Sequence, residues 1–168
     1  YYTYMYNKFM LVNIFSKLDE WIYSQNQLAT EGGGLLISPC TFKLLGQSAL
    51  IEARLGFELA RTADVDAYYD APYKALQQLD VLLAKHGMHL DPLGQEVWMP
   101  AETKYDSLFS GQYLELQLAQ AVYVLTSKSL KAPEKNKEII SQYLASEPEE
   151  EFFALCERYN VELEFFVS

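Results

Sequence analysis

Between residues 41 and 70 the chain changes its hydrophobic period twice. Thr41 to Leu45 (TFKLL) is a short apolar run stopped by Gly46. Ser48 to Phe57 (SALIEARLGF) is made of helix formers with Ser48 near the N-cap, and Arg61 to Tyr68 is strand-like again. A strand, a glycine turn, a helix and a returning strand restrict the chain to folds in which short strands are covered by helices. The returning strand carries Asp64 and Asp66 on either side of Val65. Alternation sends both carboxylates to one face and Val65 to the other. Two like charges there repel unless something positive sits between them, and a divalent metal ion is the economical answer.

The rest of the chain continues this mixed pattern. Asn7 to about Leu28 predicts a helix, because Leu11, Ile14, Phe15, Leu18 and Ile22 keep the spacing of one apolar face. The run Gly32-Gly33-Gly34 ends it. Pro72 opens a second long helix through His86, with Leu76, Leu79, Val81 and Leu83 as its apolar side, Asp70 as its cap and Gly87 as its stop. Met88 to Pro100 holds a strand and a DPLG turn. Tyr113 to Leu118 alternates, with Leu114, Leu116 and Leu118 on one side and Tyr113, Glu115 and Gln117 on the other. Helices follow at about 121–131, 134–145 and 149–159, and the closing VELEFFVS reads as a strand or a truncated helix. The expected class is α+β: one domain over residues 1–168, with a small mixed sheet flanked by helices. Its core spans about 35–120, and a helical C-terminal portion covers about 121–168.

Composition narrows the function. Half of the 168 residues are hydrophobic and 14% are aromatic, enough for a real core. The net charge of −10 repels nucleic-acid backbones, but it tolerates a small anion that arrives with its own Mg²⁺. No apolar run approaches the roughly 18–20 residues that span a bilayer, and no secretory leader is visible. Cys40 and Cys156 are too far apart in sequence for a disulfide framework or a zinc motif; Cys156 reads as a small buried residue, and a reducing, cytoplasmic setting is expected. No P-loop motif and no nucleophile elbow occurs, and His86 and His89 lack metal-ligand spacing.

The constellation that remains is a glycine turn at a helix start beside a carboxylate pair. Free N–H groups at a helix start attract phosphate, and carboxylates hold Mg²⁺. D-x-D alone is a weak motif; the joint pattern of strand, small-residue turn, helix, Arg-Thr and D-x-D is far rarer.

Gly46-Gln47-Ser48-Ala49-Leu50 followed by Arg61-Thr62-Ala63-Asp64-Val65-Asp66 resembles the signature of the minimal nucleotidyltransferases of the polymerase-beta-like fold. That group includes the AbiEii-type toxins of bacterial toxin–antitoxin systems. VLTSKSLKAPEKNKEIISQYL, residues 124–144, is similar to the family's lysine-bearing helix, so the resemblance runs from Phe42 to Leu144. It implies transfer of a nucleoside monophosphate from a Mg²⁺- or Mn²⁺-bound NTP to an acceptor hydroxyl on a tRNA, a protein or a small molecule. Asp64 and Asp66 would be catalytic metal ligands, Gly46 and Ser48 would touch the phosphates, and Lys128 would contact the triphosphate. The family commonly has a third acid on the next strand. Glu115 is the candidate, with Asp70 and Asp106 as alternatives. Two departures matter: Gln47 stands where a second glycine or a serine is usual, and Asn136 where a carboxylate is usual. They favour a second reading, a catalytically weakened member that binds a nucleotide or a partner such as an antitoxin. No membrane partner is expected.

Overall fold

The apolar stripe expected near the N-terminus lies along helix α1, Tyr2–Gly32, in a computed structural model that describes residues 2–53, 55–57, 59 and 62–167, with side chains from residue 10 onward. Leu11, Ile14, Phe15, Leu18 and Ile22 are all buried, and Gly33 takes the left-handed conformation that stops the helix. Arg61 of the motif lies outside the described residues.

Strand β1, Cys40–Leu44, follows and is central. Its buried residues Cys40, Phe42 and Leu44 alternate with the half-exposed Thr41 and Lys43. The expected strand over 61–68 is two short strands, β2 (Asp64–Val65) and β3 (Ala67–Asp70), broken at Asp66. β4 is His89–Leu90, β5 is Tyr105–Ser110 and β6 is Leu114–Ala119. Four of them form a mixed sheet in the order β3-β1-β6-β5, in which β1 runs antiparallel to β3 and parallel to β6. β2 and β4 form a separate parallel pair.

Helices α1 and α3 (Tyr73–Ala84) pack against each other, and α1 also packs on β5 and β6. Phe15 of α1 meets Phe42 of β1 edge to face at 5.0 Å. Asp19 ties α1 to the β5–β6 turn: its carboxylate accepts the N–H groups of Gln112 at 3.1 Å and Tyr113 at 2.7 Å. Gly111 has to lack a side chain there, since a Cβ would stand 2.4 Å from Asp19 Cγ. On the outer edge of β3, the Gln95 amide accepts from Tyr69 N–H and donates to Tyr69 C=O, at 3.1 and 2.8 Å, and so stands in for a neighbouring strand.

The C-terminal portion is helical, as expected: α4 (Ala121–Lys131), α5 (Lys137–Ala145), α6 (Glu150–Arg158) and a 3₁₀ turn over Leu163–Phe166. α4 packs on α2 (Gly46–Ala53), α5 and α6. Ser127 donates to Trp98 C=O at 2.5 Å, which fastens α4 to residues 97–99.

Three local expectations change. Helix α2 stops at Ala53, and residues 55–57 are not helical. Val81 faces solvent at 52% exposure, and Ala75 and Leu82 join Leu79 and Leu83 on the buried side of α3 instead. Asp70 does not cap α3: Pro72 is the N-cap residue and Asp70 pairs with Thr41 in the sheet.

Candidate active site

Gly46 leaves the end of β1 with φ at +57° and opens α2. Leu45 N–H donates to the Asp66 carbonyl at 2.8 Å, so the glycine-ended strand and the acidic segment run side by side. A Cβ on Gly46 would stand 2.5 Å from Asp66 Oδ2; this position combines a left-handed backbone with a carboxylate packed directly against it.

Alternation around Val65 holds as expected. Val65 is fully buried, while Asp64 is exposed and Asp66 half-buried on the other side. The parallel pairing of β2 with β4 adds what the sequence did not offer. Asp64 lies opposite His89 and Val65 opposite Leu90; Asp91 N–H then donates to Val65 C=O at 2.9 Å. Asp-Val-Asp and His-Leu-Asp thus stand in register, with their apolar middles inward. His89 Nε2 meets Asp64 Oδ1 at 2.5 Å. The Asp91 carboxyl faces that of Asp66, close enough for the protonated form of Asp66 to hydrogen-bond to it. Burial first, then that bond and the charge of Asp91, push the Asp66 carboxyl up to about 6, against the opposing pull of Lys128.

Lys128 comes from the last turn of α4. Burial, followed by repulsion from Lys135, holds its ammonium below the usual lysine range, while Asp66 works the other way. Its Nζ donates to Asn136 Oδ1 at 3.4 Å.

Gly46, Asp64, Asp66 and Lys128 are therefore brought together; Glu115 is not. β6 pairs with β1 residue for residue, which puts Glu115 opposite Thr41 near the start of β1, whereas Gly46 lies beyond its end. At about 3.3 Å per residue the two ends are roughly 16 Å apart. Glu115 instead accepts from the hydroxyls of Ser107 at 2.6 Å and Ser110 at 2.5 Å, which hold its carboxyl below the usual range. The third carboxylate beside Asp66 is Asp91. Ser48 sits in the first turn of α2 but is buried beside Ala49 and Leu50, so its hydroxyl offers a ligand little surface. Asp106, on the edge strand β5 two strands from β1, accepts from the Gln120 amide.

Among the described residues no group of three or more His, Cys, Asp and Glu side chains is arranged to hold a metal ion. No described helix is long and apolar enough to cross a membrane. A pocket of about 350 Å³ opens elsewhere, between the end of α1 and residues 36–39, lined by Asn26, Thr30, Ile37 and Tyr113. It lies at the opposite end of β1 from Gly46.

Against known proteins, the chain matches no family model, no curated protein and no solved structure.

Proposed function

We propose that this chain has a nucleotidyltransferase fold and transfers a nucleoside monophosphate from a metal-bound NTP to an acceptor hydroxyl. The observation that carries the reading is the Asp66 carboxyl, packed on Gly46 and faced by Asp91, Asp64 and Lys128. Two carboxyl groups that can share a proton form an all-oxygen donor set in which a hard divalent cation can take the proton's place. Asp64, Asp66 and Asp91 are not arranged as a three-carboxylate metal site in this structure, and the Asp66 and Asp91 pair supplies the oxygen donors that suit Mg²⁺ or Mn²⁺, with Asp91 in the role expected of Glu115. Such an ion, when bound, neutralises phosphate charge and lowers the pKa of an acceptor hydroxyl.

The chain's own residues do the rest. The side-chain-free Gly46 lets the backbone approach a phosphate, and the first N–H groups of α2 face it. With Ser48 buried, the backbone of that turn makes the contact. Lys128 supplies a point charge to the triphosphate. In the reaction the acceptor oxygen forms a bond to the α-phosphorus as the bond to pyrophosphate breaks.

A second reading, a nucleotide- or partner-binding protein with weakened catalysis, for instance one half of a toxin–antitoxin pair, is favoured by one observation: His89 already occupies Asp64. Two measurements separate the readings. Saturating Mg²⁺ and NTP should stabilise the fold in either case, by about 2.7 kcal/mol at a hundredfold excess over Kd. Pyrophosphate release on incubation with candidate acceptors supports transfer; stabilisation without release supports binding alone. No stabilisation by any NTP removes transfer and nucleotide binding alike and leaves only partner binding.

A further inference from the structure

Some of the most exposed apolar side chains of the protein lie at the end of β1 away from Gly46. Leu35 is 95% and Leu36 62% exposed, in the stretch that joins α1 to β1. Leu36 lines the pocket of about 350 Å³ there with Ile37, Pro39 and Tyr113, and the exposed Tyr23 meets Tyr113 at 6.4 Å between ring centroids. That volume is at the small end of the roughly 300–1,000 Å³ typical of ligand sites. Among the described residues, the side chains of Gln27 and Ser38 in the pocket wall and the Tyr113 hydroxyl find no hydrogen-bond partner.

The backbone beside the pocket is also open. Asn26, buried on α1, holds both polar groups of Ile37: its Oδ1 accepts from Ile37 N–H at 2.7 Å and its Nδ2 donates to Ile37 C=O at 3.0 Å. The stretch is thereby fixed without a neighbouring strand. The N–H and C=O groups of Leu35 and Leu36 make no hydrogen bond to described residues. Exposed backbone groups of this kind can receive the backbone of an added chain.

The surroundings are acidic. Between Leu18 and Phe42 the chain carries Asp19, Glu20 and Glu31 and no Lys, Arg or His. Glu31 follows Thr30 of the pocket wall, and the Asp19 carboxylate sits on the N–H groups of Gln112 and Tyr113. α1 ends here with no basic residue in its last turn, so the negative end of its dipole is not offset.

We propose that this cleft docks a partner protein through an extended segment in which an apolar side chain stands next to Lys or Arg. The apolar side chain enters the pocket against Leu36 and Tyr113, the segment's backbone pairs with that of Leu35 and Leu36, and its cation faces Glu31 and the end of α1. A small molecule has no repeating backbone to match the unpaired groups, and a second copy docked by the same face would bring acid against acid. The inference does not rest on the nucleotide reading, because the cleft and Gly46 stand at opposite ends of β1.

The test selects a random-peptide display library on the wild type, Gln27→Arg, Leu36→Ser and, as a remote control, Leu93→Ser; the enriched peptides are then synthesised and titrated by fluorescence anisotropy. Gln27, Leu36 and Leu93 are exposed, so all the variants should melt with the wild type. The wild type and Leu93→Ser should enrich the same peptides, with an apolar residue beside Lys or Arg. Leu36→Ser should weaken their binding about fivefold or more, and Gln27→Arg, which sets a cation in the pocket wall, about tenfold or more. No enrichment, enrichment of neutral or acidic peptides alone, or equal affinity for every protein overturns the inference. So does a dimer in sedimentation that Leu36→Ser abolishes, which would assign the face to a second copy.

Discussion

The Asp66 carboxylate lies so close to Gly46 that a methyl group on the glycine would stand 2.5 Å from Oδ2. Strand end, helix start and acid are thus locked into one arrangement, and several measurable consequences follow from it.

Gly46→Ala should be among the costliest single-carbon additions in the chain. The residue would have to keep a φ of +57° and displace a half-buried carboxyl. The left-handed backbone alone costs about 1–2 kcal/mol, and the displacement adds to it. Urea unfolding should show a loss of at least that size; a variant as stable as the wild type would mean that Asp66 does not press on this turn.

Asp66→Asn should change how stability depends on pH. The carboxyl is pushed up from its ordinary 3.8 to about 6, so the folded state binds this proton more tightly than the unfolded chain does. Its contribution is fully present below about pH 4 and is lost as pH rises through 6. In metal-free buffer the variant should therefore gain on the wild type between pH 4 and pH 7. Solvent screening of a partly exposed pair limits the gain to on the order of 1 kcal/mol. Parallel stability curves for the two proteins would contradict the raised Asp66 pKa.

Asp91→Asn and Glu115→Gln should part company. If Asp91 is the third carboxylate, its variant loses the Mg²⁺-dependent stabilisation by NTP, and the Glu115 variant keeps it. Thermal melts with and without Mg-NTP read the difference, and the opposite outcome returns Glu115 to the site.

Cys40 and Cys156 should resist thiol reagents in the folded protein. Both are buried and unpaired, and burial pushes each thiol up to about 11. At pH 8 only about one molecule in a thousand would then carry the thiolate on a given cysteine. Labelling followed by mass spectrometry should find neither site modified until denaturant is added.

Much of this architecture is legible in the sequence, for reasons specific to each element. The stripe from Leu11 to Ile22 reads correctly because one apolar face is buried along its whole length. The helices expected at about 121–131, 134–145 and 149–159 are found at 121–131, 137–145 and 150–158. β5 escapes because Tyr105–Ser110 is an edge strand with three exposed residues and a register shift between Ser107 and Phe109, so its alternation is broken. The side-by-side placement of Gly46 and Asp66 is anticipated by the strand–turn–helix pattern. Asp91 is missed for a different reason. His-Leu-Asp repeats the polar-apolar-polar form of Asp-Val-Asp, but only the parallel pairing of β2 with β4, across 25 residues, puts them on one surface. Glu115 is placed on the correct face of its strand and at the wrong end of it, because alternation fixes which way a side chain points and says nothing about register.

Asp19 has a consequence for how the chain reaches this structure. The bend between β5 and β6 receives its hydrogen-bond acceptors from a helix more than ninety residues upstream. An excised hairpin would lack them, so the bend cannot settle before α1 has docked. Closing so long a loop is entropically slow, and the sheet's outer half should be among the last parts to become protected from hydrogen exchange during refolding.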